Sequence, residues 1–300
     1  MSQFTVGVIG AGAVGQSVAA LLVQEPWCAR IMIAARTQES ATGLVTDLED
    51  MREITHSSVR AETAKVAEMR EMDAVVVCPR ATFTNTATAD IRMAGLAANA
   101  PLITNLARDL AGYRGIVIVV TNPVDVLTRV FAATTGQNTR VYGIGSSTDS
   151  ARYRLALATH HRVAPGAVRG WVIGEYGDSA VVCASSTTVN GRRVEVPLEY
   201  VRAQLSARPR QINAGIGRTR CGPAGAVLTT LCKTLGISDG TEVLSVNHDG
   251  VWLGIPLRFT AGRPTVCLPD LDPDELRQFD AARTKLDSAF QQIPQGETSC

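Results

Sequence analysis

The fold is decided by residues 4–15, which read FTVGVIGAGAVG. The apolar run Phe4–Ile9 predicts a strand, and three glycines in the spacing G-x-G-x-x-G join it to a helix-like segment. In this setting the first glycine allows a tight turn, the second lets a diphosphate approach the backbone, and the third lets helix and strand pack closely. Free N–H groups at the helix start favour an anion. We therefore predict a dinucleotide-binding loop, with a glycine turn that binds no ligand as the alternative. The predicted cofactor contacts are Gly10, Gly12, Ala13, Val14 and Gly15.

The first half of the chain continues to alternate short apolar runs with helix-like segments. The runs are rich in β-branched residues and almost entirely apolar, as in parallel strands that are covered on both faces. We predict an α/β protein with a Rossmann-type, doubly wound parallel sheet in a dinucleotide-binding domain over residues 1–146. The further predicted strands are Ile31–Ala35, Ala74–Cys78, Ile116–Thr121 and one ending near Gly143, and the predicted helices are Val14–Val23, Ala41–Ile54 and Ile91–Leu110.

Residues 147–300 have a less regular pattern, which predicts a mixed α/β catalytic domain. Asp272-Pro-Asp-Glu275 combines an N-cap acid, proline at the first helical position and glutamate at the third, so it predicts a helix start. The last residues, Ile293–Cys300, predict a frayed tail. The other predicted elements are helices Ser150–His161, Tyr200–Ser206 and Ala224–Leu235, strand Val168–Ile173, two or three antiparallel strands within Thr241–Phe259, and an apolar face of the last helix made by Leu276, Phe279, Leu286 and Phe290.

The composition excludes several classes of protein. With 45% hydrophobic and 19% charged residues the chain is not disordered, and a net charge of +1 gives no basis for binding nucleic acid or a membrane surface. The longest aliphatic run, Ile116–Val120, is too short to span a bilayer, and the first residues lack a signal-peptide pattern, so we expect a cytoplasmic protein. Seven scattered cysteines without a C-x-x-C pair predict reduced thiols and no metal site.

The end of the second predicted strand bears on the choice of nicotinamide cofactor. An acid at this point would bond the adenosine ribose and repel a 2′-phosphate. The sequence instead reads Ile31-Met-Ile-Ala-Ala35-Arg36-Thr37, without an acid. Arg36 can pair with a 2′-phosphate and Thr37 can add a hydrogen bond, so NADP(H) is favoured and NAD(H) is the alternative. A solvated surface arginine with relaxed cofactor choice is the alternative for Arg36.

Four motifs resemble those of the L-lactate/L-malate dehydrogenase family. They are Thr121-Asn-Pro-Val-Asp125, Asp149-Ser-Ala-Arg152-Tyr-Arg154, Ile173-Gly-Glu-Tyr176-Gly-Asp-Ser179, and Ala41-x-Gly43 with Asp47-Leu48. The resemblance covers roughly residues 4–290. It implies a Rossmann half, a mixed catalytic half, a homodimer or homotetramer, and reduction of a small-molecule 2-oxo carboxylate by hydride transfer.

The resemblance also implies roles for three residues. Arg152 would clamp the substrate carboxylate through two parallel bonds, and a structural ion pair is its alternative. Asn122 would lie beside the nicotinamide ribose and the substrate oxygen, in a tight turn that a cis peptide bond before Pro123 would suit. Arg92 precedes Asn99 by seven positions, the spacing of the family's mobile-loop arginine, and would polarise the substrate carbonyl. A solvated helix arginine is the alternative for Arg92.

Tyr176 departs from the family pattern, which has histidine as the general acid–base at this position. An imidazole can donate one N–H to the carboxylate that aligns with Asp149 while the other protonates the substrate, whereas a phenol has a single O–H. With an ordinary pKa of about 10, a phenol is a poor base for oxidation. We therefore expect an enzyme that acts mainly as a reductase, with Tyr176, Asp149, Arg152 and Arg92 as its catalytic residues.

Three functions remain open on these residues. The first is carbonyl reduction with Tyr176 as the proton donor. The second is reduction of an imine or imino acid, in which Asp149 pairs with the iminium while Arg152 holds a carboxylate. The third is a non-catalytic nucleotide-binding protein, against which the retained charged residues argue.

Three further positions concern substrate and cofactor contacts. Thr86 corresponds to the family's selectivity position and offers no partner for a second carboxylate, so malate is disfavoured. Ala224 is small and apolar where the family often has a pocket hydroxyl, which favours an apolar or larger substrate tail. Arg80 stands in place of the family's glycine-rich strand end and either joins Arg36 at the cofactor phosphate or caps the strand.

Overall fold

The computed structural model describes residues 3–136 and 139–293. Its strands are β1 (Phe4–Ile9), β2 (Cys28–Ala34), β3 (Arg60–Thr63), β4 (Ala74–Val77), β5 (Ile116–Val119), β6 (Arg140–Gly143), β7 (Val168–Arg169), β8 (Val172–Gly174), β9 (Ala180–Val182), β10 (Thr188–Val189), β11 (Arg192–Arg193), β12 (Gly240–His248), β13 (Val251–Thr260) and β14 (Arg263–Val266). Its α-helices are α1 (Ala13–Val23), α2 (Gln38–Thr55), α3 (Leu96–Asp109), α4 (Val124–Thr135), α5 (Ser146–His161), α6 (Leu198–Ile216), α7 (Cys221–Thr234) and α8 (Pro273–Gln291). Short 3₁₀ helices span Val66–Glu71, Met93–Gly95 and Pro165–Ala167. Of the predicted tail Ile293–Cys300, Ile293 is partly buried against the apolar core, contrary to the prediction, and residues 294–300 lie outside the described residues.

The first half forms the predicted doubly wound sheet. Its strands run in the order β3-β2-β1-β4-β5-β6, and every neighbouring pair is parallel. The strands β4 and β5 are buried along their whole length because helices cover both faces, as their apolar sequences require. The edge strand β3 was not predicted, because its sequence, Arg60-Ala-Glu-Thr63, alternates exposed polar side chains with half-buried ones.

The sheet continues without a break into the second half of the chain. Gly143 of β6 pairs with Ser245 of β12 in the antiparallel sense, and β13, β8 and β9 follow, with β14 on the outer part of β13. A separate small sheet has the order β11-β10-β7. One apolar core joins the two halves, since it includes Val6 and Ile31 together with Leu253 and Phe279. The predicted boundary at residue 146 falls on the first residue of α5.

Several boundaries differ from those predicted. The single strand predicted over Val168–Ile173 is two strands, β7 and β8, which belong to different sheets. Gly170 lies between them and approaches Tyr153 so closely that a Cβ atom there would meet the ring at 2.5 Å. The helix predicted from Ile91 begins only at Leu96, after a 3₁₀ turn.

The helices of the second half also correct two predictions. The helix α6 continues well past the predicted end at Ser206 and carries Pro209 in its interior, where proline normally weakens a helix and so hides its extent in the sequence. The predicted cap of α8 is present, because the Asp272 carboxylate accepts from the backbone N–H of Glu275 at 2.9 Å. Leu276 was wrongly assigned to the buried face of this helix and is exposed, whereas Phe279 is buried.

The cysteines of the described segments carry free thiols. Burial raises the pKa of both Cys28 and Cys78 to about 12, so these two thiols stay protonated at neutral pH. Cys221 is exposed, unlike the predicted core cysteines, and Cys300 lies outside the described residues. Within the described segments, every helix is too short or too polar to traverse a lipid bilayer.

Candidate active site

The glycine loop after β1 has the geometry that its sequence predicts. Gly10 has a φ of +113°, and a Cβ atom there would lie 2.9 Å from the backbone nitrogen of Pro79. A Cβ atom at Gly15 would meet the Gly10 carbonyl oxygen at 1.7 Å, so the helix and the loop touch through this glycine. A Cβ atom at Gly12 would instead point into open space at the start of α1. The loop is therefore tight where it packs and open where a diphosphate would approach.

Two exposed arginines follow the strands on either side of β1. Nη1 of Arg36 donates a hydrogen bond to Oγ1 of Thr82 at 3.0 Å, and the guanidinium of Arg80 lies 4.3 Å from the centroid of the Phe83 ring. Thr37 caps α2, because its hydroxyl oxygen accepts the backbone N–H of Ser40. The segment after β4 thus lies against the end of β2, where the sequence predicts the 2′-phosphate site.

The turn between β5 and α4 contains a cis peptide bond between Asn122 and Pro123. Asn99 fixes this turn, since its Nδ2 donates to the Asn122 carbonyl at 2.8 Å and its Oδ1 accepts the backbone N–H of Ala81 at 2.8 Å. Oδ1 of Asn122 is buried and has no hydrogen-bond partner among the described residues. This unpaired acceptor and the open space at Gly12 fit a dinucleotide with hydroxyl donors.

Arg92 and Tyr176 are in direct contact. The guanidinium of Arg92 lies 4.0 Å from the centroid of the Tyr176 ring, within the range of a cation–π interaction. Burial disfavours the Arg92 cation, but the neighbouring Tyr176 hydroxyl, Asp149 and Asp178 favour it more, so the pKa of Arg92 is raised. The predicted loop arginine and the predicted proton donor are therefore neighbours in the structure.

Asp149 and Arg152 form a buried ion pair on α5. They lie one helical turn apart, and Nη1 of Arg152 is 2.9 Å from Oδ1 of Asp149. Both residues are about 5% exposed. Since the charge of Asp149 also acts on Arg92, the structure brings all four predicted catalytic residues together.

The buried acid Asp125 lies beneath Tyr176 and was not assigned a role from the sequence. Its Oδ2 accepts the backbone N–H of Tyr176 at 2.8 Å, and burial raises the pKa of its carboxyl to about 7, despite that hydrogen bond. The sequence signal was available, because Asp125 is an acid in the otherwise apolar start of α4, Val-Asp-Val-Leu.

Thr86 and Ala224 are not joined to this centre. Thr86 is exposed on the segment between β4 and α3, whereas Ala224 is fully buried in the apolar core. Within the described residues, no side-chain hydrogen bond or ring contact connects either of them to Arg92, Tyr176 or Arg152. Their contact with substrate stays a prediction. The described segments also contain no group of three His, Cys, Asp or Glu side chains arranged to hold a metal ion.

Comparison with known proteins shows similarity to lactate and malate dehydrogenases. Residues 4–143 match the family model described as lactate/malate dehydrogenase, NAD binding domain. The L-lactate dehydrogenase of Treponema denticola is 29% identical over 96% of this chain and 98% of that enzyme. The first half of the chain is thus similar to the NAD binding domain of that family, and nearly the whole chain is similar to an L-lactate dehydrogenase.

Further proteins are similar to this chain. The L-lactate dehydrogenase 2 of Lactococcus lactis is 31% identical over 65% of this chain, and the match spans only 61% of that enzyme. The structure of the minor L-lactate dehydrogenase of Enterococcus mundtii superposes with a TM-score of 0.88 at 22% identity, covering 98% of this chain and 99% of that one. The structural match establishes the shared α/β fold.

Proposed function

We propose that this lactate/malate dehydrogenase relative reduces a 2-oxo acid that carries a single carboxylate, using NADPH in preference to NADH. The observation that carries the proposal is the stacking of Arg92 on Tyr176 beside the buried Asp149–Arg152 pair. This arrangement supplies an anion clamp, a cation for a developing oxyanion and a hydroxyl donor within one centre.

The two arginines have different tasks in the proposed reaction. Arg152 holds the substrate carboxylate; Nη1 is already oriented by Asp149, so little side-chain freedom is lost when the substrate binds. Arg92 polarises the carbonyl oxygen and stabilises the negative charge that develops on it. A bound nicotinamide cofactor would supply the hydride. Oδ1 of Asn122, which accepts no hydrogen bond from the part of the chain that the structure describes, can accept one from the ribose.

Tyr176 is the proposed proton donor, at the position where the family carries histidine. Its single O–H gives a proton to the carbonyl oxygen, which leaves a phenolate. The guanidinium 4.0 Å from the ring stabilises that phenolate, and solvent restores the proton after product leaves. Because Asp149 is already paired with Arg152, the single O–H of Tyr176 does not have to donate to that carboxylate and can donate to the substrate. The reverse reaction needs the phenolate as a base, which is why reduction is favoured.

The proposed preference for NADPH departs from the family model, which describes NAD binding. The support is local: β2 ends without an acid, and Arg36 and Arg80 both follow strands that flank the glycine loop. Arg36 can pair with a 2′-phosphate, with Arg80 as a second cation. The hydroxyl oxygen of Thr37 caps α2, so Thr37 can contact the phosphate only through its backbone or after this capping hydrogen bond breaks.

The imine alternative requires Asp149 to pair with the substrate cation. The ion pair between Asp149 and Arg152 favours carbonyl reduction instead, because that carboxylate already has a cationic partner. The non-catalytic alternative is also disfavoured. A buried ion pair is costly to desolvate and adds little net stability, so its presence favours a functional role. Both alternatives remain as outcomes of the experiment below.

Oxidation of NADPH in the presence of three substrate panels tests the proposal. The panels are 2-oxo acids with neutral tails, 2-oxo dicarboxylates, and cyclic imines that carry a carboxylate. We expect turnover with the first panel, at the highest rate for apolar tails if Thr86 and Ala224 contact the substrate. Turnover of imines alone would replace the proposal, and failure to bind either NADPH or NADH would contradict it.

We also propose the division into a dinucleotide-binding domain over residues 1–146 and a catalytic domain over residues 147–300, and assembly as a homodimer or homotetramer. Both proposals follow from the family resemblance. Sedimentation at two or four times the mass of one chain would support the assembly, and a monomer would contradict it.

A further inference from the structure

Lys285 on α8 connects the neighbours of both Arg92 and Tyr176. Its Nζ lies 2.5 Å from Oδ1 of Asp90 and 2.9 Å from the carboxylate of Glu175. Asp90 precedes Arg92 by two positions, and Glu175 directly precedes Tyr176. A single ammonium group therefore bridges the two segments that carry the proposed polarising and proton-donating side chains.

Two backbone contacts extend this bridge. The backbone N–H of Asp90 donates to Oδ2 of Asp178 at 2.9 Å, and the backbone N–H of Ser179 donates to Oε2 of Glu175 at 2.9 Å. Asp90 has a φ of +45°, so the chain bends in the left-handed region immediately before Arg92. The bend is thus held by a side-chain contact on one side and a backbone contact on the other.

The chemistry of Lys285 suits this bridge. An ammonium is a compact charge with three donors, so it can bond two carboxylates that approach from different directions. Glu175 is only 3% exposed, and among the described residues Lys285 is the cation that compensates its charge. Lysine is rare among the basic residues of this protein. Of its 29 lysines and arginines, only Lys65, Lys233 and Lys285 are lysines.

We propose that Lys285 is a positioning residue, which fastens Asp90 to Glu175 and thereby keeps the Arg92 guanidinium over the Tyr176 ring. This inference rests on the proposed function for its catalytic consequence. Lys285 acts through its neighbours and does not touch the reacting atoms. Its loss should reduce turnover and leave the affinity for the nicotinamide cofactor unchanged, since the glycine loop is formed by other segments.

The experiment compares four variants with the wild-type protein. Lys285→Met removes the charge and keeps most of the stem, and Lys285→Arg restores the charge. Asp90→Asn cuts only the loop side of the bridge, so it remains informative if Lys285→Met does not fold because Glu175 is left unpaired. Lys233→Met is the matched control, because Lys233 forms a half-buried pair with Glu242 at 2.9 Å in another part of the fold.

Two readouts separate this proposal from the proposed function. Amide hydrogen exchange of residues 84–95 needs no turnover; we expect at least about tenfold faster exchange in Lys285→Met and Asp90→Asn, as for a segment released from its contacts. In NADPH oxidation with a 2-oxo acid, we expect kcat to fall between about tenfold and a hundredfold at constant cofactor Kd, with partial recovery in Lys285→Arg.

Unchanged exchange and unchanged kcat in both bridge variants would overturn the proposal, as would equal effects in Lys233→Met. Faster exchange in a protein whose wild type reduces no 2-oxo acid would support the bridge and reject the proposed function. Unchanged exchange in an active wild-type enzyme and its variants would reject only the bridge.

Discussion

At the scale of single residues, the candidate site depends on charges that are paired inside the protein. The Asp149–Arg152 pair is about 5% exposed on each side, and Arg92 adds a second guanidinium over an aromatic ring. Removing one partner of such a pair leaves an uncompensated buried charge, which typically costs about 3–5 kcal/mol. The side chains are therefore oriented before a substrate arrives, and the site can use their geometry without further ordering.

The carboxyl of Asp125 gives a prediction for pH. Its pKa is raised to about 7 by burial, so the folded protein holds this proton more tightly than the unfolded chain, whose carboxyl titrates near about 4. The contribution of this group to stability is full below about pH 4, falls as the pH rises towards 7, and is constant above that. We compare the free energy of unfolding in urea of Asp125→Asn with that of the wild type. From pH 5 to pH 8 we expect the difference to shift in favour of the variant by up to about 3 kcal/mol.

Asp50→Asn is the control for this measurement, because Asp50 is an exposed carboxyl on α2. An equal pH dependence of the wild type and Asp125→Asn would show that the Asp125 carboxyl ionises freely in the folded state. The asparagine retains an oxygen acceptor for the backbone N–H of Tyr176, so the comparison isolates the charge.

At the scale of elements, the sequence predicts those strands and helices whose own residues determine them. The buried strands β4 and β5 are continuous apolar runs, β1 is nearly so with Thr5 as its polar residue, and the cap at Asp272 is local in sequence. The edge strand β3 was missed because its residues are polar and its pairing with β2 is a property of the fold. The bridge through Lys285 joins residues far apart in the chain, and no spacing rule reveals such a contact.

The end of β2 gives a prediction for the cofactor. Ala35→Asp introduces an acid where a ribose 2′-phosphate would lie, and it also pairs with Arg36. We expect NADPH affinity to fall by at least about tenfold while NADH affinity is retained or improved. Fluorescence titration of both cofactors measures this directly.

Arg30→Ala is a matched control for Ala35→Asp, because it changes the net charge equally. Arg30 lies on β2, which ends directly before Ala35, and pairs with Glu62. Intact NADPH affinity in Ala35→Asp would contradict the proposed cofactor preference. A similar loss in both variants would attribute the effect to overall charge rather than to a phosphate contact.

At the scale of the whole molecule, the two predicted domains share one sheet and one core. The sheet passes from β6 to β12, and the core joins Val6 of β1 to Phe279 of α8. The site lies where the loop before α3 meets the end of β8, so the packing of the two halves also fixes the distance between Arg92 and Tyr176.

This shared core predicts a single unfolding transition. We expect one cooperative peak in calorimetry, shifted upwards by saturating NADPH because the cofactor binds the folded state. Two separate transitions, one of them unaffected by NADPH, would show that the halves unfold independently and that the continuous sheet does not couple them.

The proton-donating role of Tyr176 is tested most directly by the Tyr176→Phe variant in single-turnover reduction of a 2-oxo acid by NADPH. The phenyl ring preserves the contact with Arg92 and removes only the O–H. We predict that the rate of carbonyl reduction falls by about a hundredfold or more while the Kd for NADPH is unchanged. A rate within about threefold of the wild type would contradict the account, because another group would then supply the proton.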